Sequence, residues 1–268
     1  MQGLPTRTVR WMLFSDLHFK HHDLNRVWQT AKWIVAEAER HQVRRVVVCG
    51  DLLTSRTMQP THVLSTCYRF IGLLSDIIPH VHILLGNHDL AYRRDYQTTA
   101  LDAFNLNRLA PSLHEDQSGL TDAVASLSPT EASKTVAFAH LAINKAITQR
   151  HQTITQKQPN TNKTDLRGSI TYLGSPLQLN WSDLYDEKRG ILLFDPETLE
   201  HEMLINPYVI GYTTVNLQEV LNDQANEEAL KDKHVMLLGD LSHLKYVMAR
   251  QAPFTWGAEC TGLEPYGL

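Results

Sequence analysis

The chain has 268 residues, of which 43% are hydrophobic and 20% are charged, and its formal net charge is −4. This composition excludes a disordered chain, and the negative balance excludes an overall basic surface of the kind that binds nucleic acid. No apolar run reaches about 18 residues, which excludes a transmembrane helix, and three sparse cysteines favour a reducing compartment, so we expect an intracellular protein, cytoplasmic or nuclear, with no membrane partner.

The first hundred residues alternate between strand patterns and helix patterns. Apolar runs rich in β-branched residues predict three strands, at 9–16, 44–51 and 81–86. Apolar residues at helical spacing predict two helices between them, over 24–38 and 63–74. Strands and helices in this order imply parallel strands joined by right-handed crossovers, so the three strands should end at the same edge of one sheet.

The second half of the chain has a less regular pattern. We expect strands at 135–140 and 169–174, a surface loop over 153–168, and a hairpin over 189–205 with its turn at 195–198. Beyond the hairpin, the pattern predicts a helix, a short strand and a helix within 217–250. We therefore divide the chain into a main domain, 1–207, and a small C-terminal α/β appendage, 208–268.

Polar side chains follow the predicted strands at the edge where parallel sheets bind ligands. They are Asp16 and His18 after the first strand, Asp51 after the second, Asn87, His88 and Asp89 after the third, and His140 at the end of the strand at 135–140. Carboxylate, amide and imidazole donors together suit Mn²⁺, Fe or Zn²⁺ better than Ca²⁺. A glycine precedes both Asp51 and Asn87, where a side chain would block a close-approaching ion or phosphate.

Each of these motifs alone has a simpler interpretation. D-x-H occurs by chance in many proteins, and a lone His140 is more simply a satisfied core histidine. G-N-H-D directly after an apolar strand is the most specific piece, and the ordered set of motifs favours a metal site over a purely structural explanation. A similar strand-G-D pattern at 235–243 has no partner motifs, and we interpret its Asp240 as a helix N-cap.

The ordered D-x-H, G-D, G-N-H-D and strand-end histidine resemble the motifs of the calcineurin-like metallophosphoesterases. Residues 170–207, with a Y-x-G-S-P-x-Q turn and a D-P-E-T hairpin, resemble the SbcD-like branch of the double-strand-break repair nucleases, which includes phage recombination endonucleases. The resemblance extends over roughly residues 9 to 207. It implies an α/β fold, with a β-sandwich core flanked by helices and the site at the strand ends.

The resemblance also implies roles for the strand-end residues. Two divalent metal ions, Mn²⁺ or else Fe or Zn²⁺, would catalyse the hydrolysis of a phosphoester. The implied metal ligands are Asp16 and His18 for one ion, Asp51 for both, and Asn87 and His140 for the other. His88 would contact the scissile phosphate or protonate the leaving oxygen, and Asp89 would orient His88. The branch further implies a DNA nuclease active in repair, with nucleic acid as substrate and an ATPase as partner.

One family motif is missing from this chain. The family carries G-H-x-H between the strand-end histidine and the Y-x-G-S turn, and no G-H-x-H occurs here. Only His151 lies between His140 and Tyr172, either as a substitute ligand if its loop folds inward or as a solvated histidine. The sequence is compatible with a shortened product or with an evolved loss. A second hypothesis is therefore a catalytically impaired metallophosphoesterase fold that acts as a binding or scaffold module.

Overall fold

The computed structural model describes residues 10–92, 95–102, 126–132, 135–140, 152–155, 169–222 and 224–239. It has a mixed α/β fold with a central sheet flanked by helices, as the sequence predicts. The chain divides into two compact units, Met1–Gly211 and Tyr212–Leu268. No helix in the described ranges is long and apolar enough to cross a membrane.

Five strands form the central sheet of the first unit: β1 Trp11–Phe14, β2 Arg45–Cys49, β3 His80–Leu84, β8 Gly190–Phe194 and β9 His201–Ile205. Their order across the sheet is β3-β2-β1-β8-β9. The pairs β1–β2 and β2–β3 are parallel, whereas β8 pairs antiparallel with both β1 and β9. The predicted parallel arrangement of the first three strands is confirmed, and their carboxyl ends meet at one edge.

Two long helices cover one face of this sheet. They are α1, Leu24–Arg40, and α2, Thr61–Ile77. The apolar residues at helical spacing are the ones that pack into the core: Val27 and Ile34 of α1 and Phe70 and Leu74 of α2 are fully buried there. Both helices are confirmed within a few residues of their predicted bounds.

The side chains of β1 alternate between two apolar clusters, as the pleat of a strand requires. Met12 and Phe14 belong to the large cluster under the helices, whereas Leu13 belongs to a smaller cluster on the other face. The smaller cluster also contains Cys49, and Phe138 packs against it. The second face of the sheet is therefore covered in part by the segment that contains Phe138.

The turn between β8 and β9 has the predicted position. The Oδ1 atom of Asp195 accepts hydrogen bonds from the backbone N–H groups of Glu197 and Thr198, at 2.8 and 3.2 Å. A short polar side chain that caps its own turn in this way is a common feature of tight connections. Leu199 completes the reversal with a positive φ of 62°.

Two secondary-structure predictions were wrong in this unit. Residues 135–140 form no strand, and the loop expected over 153–168 begins as a strand: β6, Gln152–Thr155, pairs antiparallel with β7, Ser169–Tyr172. Thr153, Ile154 and Thr155 include the β-branched types that favour a strand, but the run is too short to show a clear apolar period. Strands β4 and β5, Leu90–Tyr92 and Asp95–Thr99, and the short helix Pro129–Ala132 were not predicted.

The second unit contains a two-stranded parallel sheet made of β10, Tyr212–Asn216, and β11, His234–Leu238. Two short helices, Leu217–Leu221 and Glu227–Leu230, connect the strands. The predicted order of helix and then strand is confirmed, although the helical part is divided in two and β10 was not predicted. The later predicted helix and the expected N-cap Asp240 lie outside the described residues.

Candidate metal centre

The loops that follow β1 and β2 run side by side beyond the sheet edge. The N–H of Asp16 donates to the carbonyl oxygen of Gly50 at 3.0 Å, and the N–H of His18 donates to that of Asp51 at 3.1 Å. These bonds continue the parallel pairing of the two strands past their ends. As a result, Asp16, His18 and Asp51 each offer a ligand atom, and the three atoms lie within 4.8 Å of one another.

All three of these residues have left-handed backbone conformations. Their φ angles are 55° for Asp16, 49° for His18 and 53° for Asp51. A residue with a Cβ atom is uncommon in this region, and aspartate and histidine are among the types that tolerate it best. Strain of this kind clusters at functional sites, where the surrounding structure holds side chains in positions that an ordinary loop would not give them.

Asp51 is the residue on which the other side chains converge. Its Oδ2 lies 3.7 Å from Nε2 of His18 and 3.3 Å from Nε2 of His140, and its Oδ1 accepts a hydrogen bond from the N–H of His88 at 2.8 Å. Burial acts to raise the pKa of Asp51, but the hydrogen bond and charge of His140, with the N–H of His88, outweigh it and hold this pKa below its usual value. Asp51 therefore carries a negative charge at neutral pH.

His140 reaches the centre without the strand that the sequence predicts for it. Its Nδ1 lies 2.8 Å from the carbonyl oxygen of Cys49, and its Nε2 lies 3.3 Å from Oδ1 of Asn87. Gly50 makes this approach possible, because a Cβ atom at that position would overlap the imidazole ring. Burial acts to lower the pKa of His140, but its hydrogen bond to Asp51 and the charges of Asp51 and Asp16 raise it to about 9.

The histidine and aspartate of G-N-H-D have separate surroundings. Nδ1 of His88 lies 2.7 Å from the carbonyl oxygen of Thr54, and its ring is 5.1 Å from that of His18. The buried carboxylate of Asp89 instead accepts hydrogen bonds from the N–H groups of Leu53 and Gly86, both at 3.0 Å. The contact that orients the His88 ring is therefore made by Thr54, whereas Asp89 ties together the loops after β2 and β3.

Burial also sets the protonation of Asp89. Desolvation raises the pKa of this carboxyl to about 6, although the two backbone N–H groups act to lower it. The two backbone hydrogen bonds satisfy this buried carboxylate and hold the loop that carries Asn87 and His88. The predicted role of Asp89 in catalysis stays a prediction.

Sequence reasoning missed two serines that hold Asp16. Ser15 Oγ donates to Oδ2 of Asp16 at 2.6 Å, and Ser175 Oγ donates to its backbone carbonyl oxygen at 2.9 Å. Ser15 directly precedes the D-x-H motif, and Ser175 belongs to the Y-x-G-S-P-x-Q turn. Ser175 is thus part of a motif and Ser15 is next to one, but only the structure shows that the turn packs against the loop after β1.

The residues of the centre fit a divalent cation. Asp16 and Asp51 bring carboxylate oxygens close together, and imidazole and amide donors surround them. Nδ1 of His18 is buried and has no hydrogen-bond partner in the described part of the chain, an unsatisfied state that is uncommon outside functional sites. Oxygen and nitrogen donors in this mixture suit Mn²⁺, Fe or Zn²⁺. His151, the candidate substitute ligand, lies outside the described residues.

The family model of the calcineurin-like phosphoesterases matches residues 9–261. The matched range contains every residue of the strand-end centre and continues through most of the second unit. A search of the curated proteins found no matching relative.

Proposed function

This chain belongs to the calcineurin-like phosphoesterase family, whose members are metal-dependent hydrolases, and from that membership we propose that it cleaves phosphodiester bonds with two divalent metal ions. The observation that carries the proposal is the central position of Asp51. Nε2 of His18 lies 3.7 Å from the Asp51 carboxylate and 3.5 Å from that of Asp16, whereas Nε2 of His140 lies 3.3 Å from Asp51 and 3.3 Å from Oδ1 of Asn87. One carboxylate between two donor sets is the arrangement that a two-ion centre requires.

The proposed ligands follow from this division. Asp16 and His18 would hold one ion, Asn87 and His140 would hold the other, and Asp51 would contact both. When bound, the ions would neutralise charge on a phosphoryl group and make water a stronger nucleophile near neutral pH. Mn²⁺ is the proposed metal, with Fe or Zn²⁺ as alternatives, because the donors combine hard oxygens with imidazole.

His88 is the proposed acid of the reaction. Its Nδ1 faces the carbonyl oxygen of Thr54, which can only accept a hydrogen bond, so this nitrogen carries a proton. Its Nε2 is then left to exchange a proton with the substrate. A histidine whose second nitrogen is fixed by a carbonyl keeps a constant ring orientation, which proton transfer to a leaving oxygen requires.

We further propose a nucleic acid as the phosphodiester substrate. The support is the resemblance of residues 170–207 to the double-strand-break repair nucleases, together with the hydrogen bond from Ser175 of that region to Asp16. The turn that carries the resemblance is thus part of the framework of the centre. A DNA nuclease with a partner ATPase is the most specific form of this proposal, and both the substrate and the partner rest on the resemblance.

Hydrolysis of bis(p-nitrophenyl) phosphate with added Mn²⁺ tests the proposal, with single- and double-stranded DNA as further substrates. We expect Asp51→Asn to abolish activity and His88→Ala to reduce kcat by about a hundredfold or more, the usual contribution of a general acid. Asp76→Asn and His201→Ala replace exposed residues of the same types and should leave activity unchanged. Equal activity in the wild type and the Asp51→Asn protein would refute the site assignment.

A second function is favoured by the missing G-H-x-H motif. Without those two histidines, the chain offers fewer ligands than two ions require. Within the described ranges, Asp16, His18 and Asp51 form the only group of three or more histidine, cysteine or carboxylate side chains whose ligand atoms lie within 4.8 Å of one another. The chain would then be a binding or scaffold module with an impaired centre. Elemental analysis of the purified protein after incubation with Mn²⁺ separates the alternatives: two ions per chain support the enzyme, and none or one supports the impaired module.

A further inference from the structure

A pair of exposed histidines lies outside the strand-end centre. Nδ1 of His21 and Nε2 of His62 are 2.7 Å apart, and their ring centroids are 4.8 Å apart at an angle of 75°. The ring of His22 lies 5.3 Å from that of His21. None of these three residues takes part in the arrangement around Asp51. Two imidazole nitrogens that face each other at the surface can share a hydrogen, or they can share a metal ion.

The backbone beneath His21 is firmly held. His21 begins a 3-10 helix, His21–Asp23, and the buried carboxylate of Asp23 bonds to Lys20 Nζ at 2.8 Å and to Arg26 Nη2 at 3.0 Å. Lys20 Nζ also donates to the carbonyl oxygen of Leu179 at 2.8 Å. This network fixes the segment on either side of His21 while leaving its ring exposed.

His62 has an equally rigid support. It is the second residue of α2, a helix of 17 residues whose apolar face is buried in the core. The carbonyl oxygen of His62 accepts a hydrogen bond from Oγ1 of Thr66 at 2.7 Å. The two rings are thus presented by backbones that do not need to move for the rings to act together, and such preorganisation lowers the entropic cost of binding.

We propose that His21 and His62 form a second metal site, separate from the strand-end centre, that binds Zn²⁺, Ni²⁺ or Cu²⁺ through Nδ1 of His21 and Nε2 of His62. Imidazole is a preferred ligand of these ions, and their affinity for nitrogen donors exceeds that of Mn²⁺. Water completes the coordination. With no carboxylate among its ligands, this site selects against Mn²⁺, in contrast to the centre around Asp51.

The geometry requires only a small adjustment. Two nitrogens bound tetrahedrally at about 2.0–2.1 Å from one ion are about 3.4 Å apart, which is about 0.7 Å more than the present separation. Exposed imidazole rings can open by this amount through rotation about their side-chain bonds. On binding, the proton that now lies between the two nitrogens would leave that position, and the ring that donates it would take up a proton at its other nitrogen, so a neutral pair would release no net proton.

The site lies near the strand-end centre but does not depend on its activity. Three peptide units separate His18 from His21, so their Cα atoms are at most about 11 Å apart. The proposed site nevertheless shares no ligand with the strand-end centre, and it would persist in a protein that hydrolyses nothing. Failure of the hydrolase proposal therefore leaves this inference unaffected, and the converse also holds.

Residue-resolved modification of the full-length protein tests the inference. Metal-free protein is treated with diethyl pyrocarbonate over a Ni²⁺ titration, and carbethoxylation of each histidine is followed by mass spectrometry. We expect Ni²⁺ to protect His21 and His62 together at one concentration, while the exposed His201 remains reactive. Asp51→Asn, which damages only the strand-end centre, should leave this protection unchanged.

Two substitutions distinguish a metal site from a hydrogen-bonded pair. His62→Gln keeps a hydrogen-bonding side chain opposite His21 but removes the imidazole, and we expect the Ni²⁺ concentration that half-protects His21 to rise about tenfold or more. His201→Ala is the matched control and should not change it. The inference is overturned if His62→Gln leaves the protection of His21 unchanged, or if Ni²⁺ protects His201 as strongly as His21.

Discussion

Two parts of the first unit supply the metal centre, and they are built in different ways. The loops after β1 and β2 are joined by backbone hydrogen bonds, among them those from Asp16 to Gly50 and from His18 to Asp51. The loop after β3 is joined to the loop after β2 by hydrogen bonds from backbone N–H groups to the carboxylates of Asp51 and Asp89. No described residue pairs with the segment 135–140 in a sheet, and the segment reaches the centre through its side chains. His140 contacts Cys49, Asn87 and Asp51, while Phe138 packs against the smaller apolar cluster.

Parallel strand pairing fixes some contributions to the centre, and side-chain packing fixes the others. Parallel strands must end at one edge, so Asp16, Asp51 and Asn87 come together whenever the sheet forms. His140 joins them only if its imidazole ring packs over Gly50 and the phenyl ring of Phe138 packs against the smaller apolar cluster. We therefore expect the positions of the loops to depend on the sheet and on the close contact between their backbones, and the position of the segment 135–140 to depend on a few side-chain contacts.

The largest effect should come from Gly86→Ala, which alters the loops themselves. A Cβ atom at Gly86 would overlap both the carboxylate and the backbone nitrogen of Asp51, and a backbone atom cannot move aside cheaply. Displacement of Asp51 removes the residue on which the ligands converge. We expect phosphodiesterase activity to fall by about a thousandfold, which corresponds to about 4 kcal/mol of lost transition-state stabilisation. Steady-state kinetics at saturating Mn²⁺ measure this loss of phosphodiesterase activity.

Gly72→Ala is the matched control for that substitution. Gly72 lies within α2, and no atom is close to the position where its Cβ would be placed. Alanine should therefore preserve activity and raise the free energy of unfolding by about 0.5–1 kcal/mol, because glycine is a poor helix former. An active Gly86→Ala protein would show that the Asp51 loop tolerates displacement and that the loops are less rigid than their hydrogen bonds indicate.

The same division explains what the sequence could predict. Between residues 9 and 86, each segment shows either a clear strand pattern or a clear helix pattern of apolar residues. Parallel topology then places Asp16, His18, Asp51 and the G-N-H-D residues at one edge of the sheet. The glycines before Asp51 and Asn87 were expected to give room to an ion or phosphate. In the structure, Gly50 and Gly86 give room to the His140 ring and to Asp51, respectively.

The remaining features depend on contacts between residues distant in sequence. The extended segment that ends at His140 has the composition of a strand, but no partner in the described residues pairs with it. The Thr54 carbonyl that orients His88 is a backbone group, which no pattern of residue types reveals. The packing of Ser175 against Asp16 joins residues 159 positions apart. Such contacts follow from tertiary structure and not from local periodicity.

A smaller effect is expected when the segment 135–140 loses its imidazole. His140→Ala removes one proposed ligand and one partner of Asp51 but leaves the loops after β1, β2 and β3 in place. We expect Mn²⁺ affinity to fall by about 10–100-fold, with the weaker of two binding steps affected most. Isothermal titration calorimetry measures both steps. An equal loss in the two steps would show that the segment and the loops form one unit and would contradict the comparison.

The affinity for metal should also depend on pH through the protonation of His140. Its raised pKa, about 9, means that the metal-free protein holds a proton on this ring at neutral pH. A metal ion must displace that proton, so affinity should rise about tenfold for each pH unit between about 7 and 9. In the metal-free protein, the same shift stabilises the fold below the unfolded pKa of about 6.5, and this contribution is lost as pH rises through about 9.

Calorimetry in buffers with different ionisation enthalpies counts the released protons directly. We expect His140→Gln to release about one proton fewer than the wild type at pH 7.5, because glutamine carries no proton to displace. His201→Ala serves as the control and should release as many protons as the wild type. An unchanged proton count in His140→Gln would mean that another group supplies the proton.

The smallest effect concerns Cys49 and Cys67, the two cysteines that the described ranges contain, which are buried in different apolar clusters. Burial, with a smaller effect from the charge of Asp16, raises the pKa of Cys49 to about 12, and burial also raises the pKa of Cys67. Because the thiolate is the reactive form, neither should react with iodoacetamide at pH 8 until its cluster opens. Detachment of Phe138 opens the cluster of Cys49, whereas Cys67 requires α2 to move.

We therefore expect Cys49 to be labelled before Cys67 in the native protein, by a factor of about ten if detachment costs about 1.4 kcal/mol less than movement of the helix. Mass spectrometry of the two peptides over time measures both rates. Phe138→Ala should accelerate the labelling of Cys49 alone, and Mn²⁺ should slow it by holding His140 in place. Labelling of both thiols at one rate would instead show that they become accessible only through global unfolding, so that the segment 135–140 is held as firmly as the loops it joins.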